Sequence, residues 1–153
     1  MEWKINHPIV YPTVDCAIFS DNQLNFIYLA RKPGQKLWRF VGGFVDVTDS
    51  SYQCAAEREA HEETGVWCET IDFITSIKID DPRYKDSEDA IMTSFFAMQV
   101  ILGQDAAPSA KDDINELKLF HVDELTPDIF VDEHKPLSRI LYEWLIIRKL
   151  YRD

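Results

Sequence analysis

Residues Gly42 to Val66 read GGFVDVTDSSYQCAAEREAHEETGV, and this stretch decides how the rest of the chain is read. Its centre, Arg58-Glu59-Ala60-His61-Glu62-Glu63-Thr64-Gly65, is an acidic helical segment halted by a glycine. On a helix, residues three and four apart share a side, so Glu59, Glu62 and Glu63 gather their carboxylates along one edge. Water does not favour that crowding. Like charges at this spacing cost roughly a few tenths of a kcal/mol per pair, and Arg58, one turn before Glu62, offsets only part of it. A hard divalent cation taking oxygen ligands removes the penalty. A bare charge run of this kind would read as a solvated helix face. Its surroundings argue for more, because a Gly42-Gly43 turn precedes the helix and Gly65 suits the left-handed cap that ends one. A glycine loop, a carboxylate-bearing helix and a glycine stop describe a strand-loop-helix-loop unit that holds a metal.

Working outward, residues 9–19 (IVYPTVDCAIF) and 24–31 (LNFIYLAR) are rich in β-branched and aromatic types and flank a polar turn, the pattern of a hairpin. Lys32 to Lys36 form a basic loop, and Leu37 to Val41 (LWRFV) a short strand feeding the glycines. Ser50 or Ser51 can cap the central helix, placing Ala55, Ala56 and Ala60 on its packing side. Strand-like runs follow at 70–79, 90–102 and 117–122, with polar loops between them. Pro136 then opens an amphipathic helix marked by Leu137, Ile140, Leu141, Trp144 and Leu145. Strands interrupted by one helix and closed by another predict an α/β fold with a mixed sheet between helices.

The chain has 153 residues, enough for one domain over 1–153 with a proper core, and its composition of 46% hydrophobic and 28% charged residues is that of a soluble globular protein. A formal net charge of −11 argues against a nucleic-acid backbone as partner, since phosphate binding relies on clustered Lys and Arg. Cys16, Cys54 and Cys68 are odd in number and lack metal-ligand spacing, which suits reduced thiols and a cytoplasmic location. No signal-like start and no long apolar run occurs, so no membrane partner is expected.

The central stretch resembles the Nudix box, G-x5-E-x7-R-E-U-x-E-E-x-G-U with U apolar. Arg58, Glu59, Ala60, Glu62, Glu63, Gly65 and Val66 match every fixed position of its second half. In the first half Asp49 stands where the pattern has Glu, counting from Gly43, and one extra residue precedes Arg58. A residue added inside the helix would rotate the later glutamates by about 100°, so the insertion is expected in the loop. The resemblance extends to the approach to the glycines, Asp112-Asp113 ahead of Glu116 and the closing helix, and it implies a Nudix-type α/β/α sandwich.

The resemblance implies a pyrophosphohydrolase cleaving a nucleoside diphosphate linked to another moiety, with Mg²⁺, or else Mn²⁺, as cofactor. Glu59, Glu63, Glu62 and the Gly43 carbonyl are its metal ligands. Glu62 is alternatively the base, Arg58 orients a ligating glutamate, and Glu116 or Asp113, read in the loop before the last strand, are further candidates for the base. Arg39 is the candidate for phosphate, Trp38 and Phe44 for stacking on a nucleobase. Lys78 to Tyr84, with Arg83 as its basic residue, is similar to a loop of ADP-ribose pyrophosphatases, which makes ADP-ribose or a similar nucleoside diphosphate sugar the expected substrate. Cleavage would give a nucleoside monophosphate and a sugar phosphate. Hydrolysis of nucleoside triphosphates or dinucleoside polyphosphates, and non-catalytic sensing of a nucleotide sugar, are the alternatives. Relatives that dimerise share pocket residues, so a homodimer is among the expected partners. His61 is expected on the surface, and His121 and His134 have no companions at metal-ligand spacing.

Overall fold

The first strand (β1, Val10–Phe19) sends Val14, Cys16 and Ile18 to one face of a sheet and Ala17 and Phe19 to the other, as a period of two requires. The computed structural model describes residues 7–151. Its further strands are β2 (Phe26–Arg31), β3 (Val41–Phe44), β4 (Cys68–Ile79), β5 (Ala90–Val100) and β6 (Glu116–His121). Among the described residues they form one sheet in the order β4-β5-β1-β2-β6, with β3 also paired to β1. β1 and β5 run parallel and the other pairings are antiparallel, so the sheet is mixed as expected.

Helix α1 (Tyr52–Thr64) covers the face bearing Val14 and Cys16, and helix α2 (Lys135–Leu150) covers the other. Ser51 caps α1 by accepting the Cys54 N–H at 3.0 Å, a contact worth about 1 kcal/mol. Gly65, at φ 75°, ends the helix with its N–H bonded to the His61 carbonyl. Ala55, Ala56 and Ala60 are fully buried and let α1 lie close to the sheet. On α2, Leu137, Leu141 and Leu145 are buried, each contributing about 1.5–3 kcal/mol by leaving water.

The glycine pair departs from expectation. Leu37 to Val41 does not form a strand: Trp38 and Arg39 make isolated bridges to Phe130 and Ala30. The regular strand is β3, and it contains both glycines, with Asp15 opposite Gly42 and Val14 opposite Gly43. The pair is therefore a strand rather than a turn. Its glycines meet a need for space, because a Cβ on Gly42 would run into the Val14 carbonyl, and one on Gly43 would lie 2.6 Å from the Glu59 carboxyl carbon. The last strand likewise begins at Glu116, not after it, which moves that residue from loop to sheet. Among the described residues no helix is long and apolar enough to cross a membrane.

Candidate active site

The second half of α1 delivers Glu59, Glu62 and Glu63 into a cleft of about 350 Å³, so the edge read from helical spacing exists. Glu63 is 5% exposed, and its Oε1 accepts the Gly42 N–H at 2.9 Å. Burial, with Glu59 adding to it, pushes the Glu63 carboxyl up to about 7 although the Gly42 hydrogen bond pulls it down. Burial raises Glu59 as well, against the opposing pull of Arg58. Glu62 is more open, with 43% of its side chain exposed.

Arg58 touches protein on every side. Its Nε and one terminal nitrogen bind the two oxygens of Asp49 at 2.8 Å each, and the other terminal nitrogen reaches Glu59 at 3.0 Å and Glu62 at 3.1 Å. A further bond of 3.2 Å runs to the Phe44 carbonyl. Asp49 is held well below the ordinary carboxylate range, at about 2, chiefly by the Arg58 hydrogen bonds. The extra residue lies in the loop before Ser51, and α1 runs unbroken from Tyr52, which keeps Glu59 and Glu63 on one face.

Among the described residues no three carboxylate, imidazole or thiol groups already stand in a metal-holding arrangement. Glu59 and Glu62 turn to Arg58, and Glu63 to Gly42. The donor set nonetheless fits a hard divalent cation, since it consists of carboxylate and carbonyl oxygens, and the buried Glu63 and partly buried Glu59 resist ionising without added positive charge. Gly43 leaves the space that the Glu59 carboxylate fills.

Residues 11–145 match the family model of the NUDIX domain. The chain belongs to the Nudix family. With the box glutamates present, that membership indicates a pyrophosphohydrolase, and the family generally uses divalent metal ions. Among curated proteins none matches the chain in sequence. Solved structures share the fold. The ORF135 protein of E. coli superposes with a TM-score of 0.71 at 19% identity, covering 95% of this chain and 98% of its own. The NUDIX domain of Shewanella oneidensis NrtR, solved with ADP ribose, gives 0.68 at 18% identity over 92% and 90%. An ADP-ribose pyrophosphatase from Streptococcus suis gives 0.60 at 21% identity over 86% and 87%.

Around the Nudix box, Arg39, Phe44 and Arg83 line the cleft. Arg83 is held by both oxygens of Asp81, and its guanidinium lies 5.4 Å from the centre of the Phe44 ring. Asp112 and Asp113 also face the cleft, Asp112 with a left-handed backbone at φ 54°. Their loop is tied to the end of α1 by the Ser109 and Lys111 N–H groups, which donate to the Thr64 and Glu63 carbonyls.

Two expected residues lie elsewhere. Glu116 stands opposite Arg31 across β2 and β6, bound to it at 2.7 and 2.8 Å outside the cleft, so its charge is already met. Trp38 is buried between the Phe120 ring, edge-on at 5.0 Å, and the Arg31 guanidinium at 4.4 Å, and presents no face to a ligand. Sequence reasoning also undervalued several groups. Lys32, from the basic loop, lines the cleft, as do Asp15, Glu133 and His134. His61 stacks on Trp67 at 3.7 Å, away from the carboxylates. His134, dismissed on metal spacing, is buried with its Nδ1 accepting the Phe40 N–H at 3.0 Å and its Nε2 3.3 Å from Asp15.

Proposed function

We propose that this Nudix domain is a Mg²⁺-dependent hydrolase of nucleoside diphosphates linked to a second moiety, with ADP-ribose or a similar nucleoside diphosphate sugar as substrate. The supporting observation is the meeting in one cleft of three helix carboxylates with the cations Lys32 and Arg39. A diphosphate needs positive charge on several oxygens, and an acidic protein offers it there in few places.

Glu59, Glu63 and the Gly43 carbonyl would hold the cation, with Glu62 as a third ligand or as the group that takes a proton from water. When bound, the divalent ion neutralises the charge that develops on the diphosphate oxygens. Arg58 fixes Glu59 and Glu62 and, anchored by Asp49, touches no substrate. Arg39 and Lys32 meet the phosphate charge left over. Burial, with Arg39 second, holds the Lys32 ammonium below its ordinary range, so an anion beside it would be favoured. Phe44, 40% exposed with Arg83 across its face, is the aromatic platform for the base. Asp112 and Asp113 replace Glu116 as further candidates for the base, since they share the cleft and it does not.

The test is product release with Mg²⁺ from ADP-ribose, nucleotide sugars, dinucleoside polyphosphates and nucleoside triphosphates. The reading expects the highest kcat/KM for a nucleoside diphosphate sugar. A triphosphate in first place would replace it with nucleotide house-cleaning, and tight binding without product would leave a sensor.

A further inference from the structure

We propose that His134 is a positioning residue for the glycine strand: an imidazole acceptor, backed by Asp15 and Thr93, that fixes the Phe40 peptide and through it the Gly42 N–H that holds Glu63. The inference rests on the hydrolase reading for its functional consequence, though not for its geometry.

Just before β3, Trp38 is bonded to Ile129 and Val131 and Arg39 to Ala30, which leaves the Phe40 N–H without a main-chain partner among the described residues. Arg39 bridges Ala30, regular pairing resumes at Val41, and the Phe40 N–H falls between them. It donates to His134 Nδ1 at 3.0 Å. A backbone N–H can only donate, so Nδ1 must be unprotonated and Nε2 carries the hydrogen. Nε2 lies 3.3 Å from Asp15 Oδ1, and the other Asp15 oxygen accepts the Thr93 hydroxyl at 2.6 Å. Strand alternation explains the meeting. Asp15 and Thr93 project from neighbouring parallel strands, with Thr13 opposite Thr93 and Asp15 opposite Phe95, onto the face that α2 covers. His134 sits at the start of that helix, its ring stacked on Phe40 with centroids 5.7 Å apart.

The same stretch carries the site. After Phe40, Gly42 donates to Glu63 at 2.9 Å, and Gly43 packs against the Glu59 carboxylate. A shift of the Phe40 peptide therefore moves the main chain on which both glutamates rest. An apolar side chain of similar size would fill the space of His134 but leave a buried N–H without a partner, and the strand would move to satisfy it.

The experiment compares wild type, His134→Leu and His134→Asn, whose amide oxygen can stand in for Nδ1. In the wild type, imidazole ¹⁵N shifts should report an unprotonated Nδ1 coupled to the Phe40 amide; a protonated Nδ1 overturns the proposal. In His134→Leu, amide exchange at Phe40 and Gly42 should quicken, Mn²⁺ should bind about tenfold or more weakly, and kcat should fall by a similar factor with KM little changed. His134→Asn should restore all three. A merely space-filling His134 predicts equal thermal stability losses in both variants with kcat and Mn²⁺ affinity near wild type, and that result contradicts the proposal. If His134→Leu does not fold, the wild-type shifts and the rescued His134→Asn still decide it. If the wild type releases no product, the hydrolase reading fails while the nitrogen shifts and amide exchange still judge the positioning role.

Discussion

Gly43 and Glu59 approach so closely that a methyl group on the glycine would lie 2.6 Å from the glutamate's carboxyl carbon. The neighbouring Gly42 is confined differently, by the Val14 carbonyl and the Asp15 carboxylate of the adjoining strand. One glycine thus makes room for a side chain that can give way, and the other for a backbone that cannot.

Substituting these glycines should separate function from stability. Gly43→Ala displaces the flexible end of Glu59, so the fold should survive while kcat/KM drops about a hundredfold, the scale expected for a misplaced catalytic group. Gly42→Ala forces β1 and β3 apart and should cost about 1–3 kcal/mol of stability. Denaturant unfolding and steady-state kinetics on both variants check the split.

Asp49→Asn removes the charge that anchors Arg58. Activity should fall by about tenfold, as for loss of a supporting group, and less than for loss of Glu63. Because the folded Asp49 carboxyl sits at about 2 against an ordinary 3.8, its stabilisation is complete above the ordinary value and is lost as pH falls from about 4 toward 2. Acid unfolding should be shallower in that window for Asp49→Asn than for wild type.

His134 and Asp15 predict a second pH signature. Burial, with Arg39 and Lys32 behind it, keeps the folded imidazole from protonating, so stability falls as pH drops below about 6.5, at about 1.4 kcal/mol per unit. Burial also raises Asp15 to about 6, against the pull of Thr93 and Arg39, so the folded state binds its proton more readily and gains stability as pH drops from 6 toward 3.8. The two titrations oppose each other in wild type. Asp15→Asn removes the compensation, and its stability should decline more steeply between pH 6 and 4 in denaturant titrations.

The aromatic pair next to the glycines divides between core and cleft. Trp38→Ala should destabilise by about 3–5 kcal/mol through the cavity it leaves, with KM unaffected in the folded fraction. Phe44→Ala should leave stability nearly unchanged and raise KM more than it lowers kcat. Thermal unfolding with KM measurements distinguishes the two roles.

Much of this was legible in the sequence, for identifiable reasons. Period-two runs and the spacing of Glu59, Glu62 and Glu63 are local signals, and the sheet, both helices and the carboxylate edge followed from them. Trp38 lies in a β-prone run whose pairing depends on Phe130, far off in the chain, as well as on nearby Ala30. Glu116 misled because its partner across the sheet, Arg31, was invisible to a reading of loops. Metal-ligand spacing carries no trace of the role of His134, because its partners are a backbone N–H and a carboxylate supplied from distant parts of the chain.

Metal-dependent hydrolysis at the Glu59-to-Glu63 edge stands or falls on Glu63→Gln. The substitution keeps the side chain's size and its oxygen for the Gly42 N–H but removes the charge that would meet a cation. Release of nucleoside monophosphate from ADP-ribose should require Mg²⁺, cease in excess chelator, and fall by about a hundredfold or more in the folded variant. Undiminished turnover in Glu63→Gln, or in chelator, would rule out metal-dependent hydrolysis at this edge.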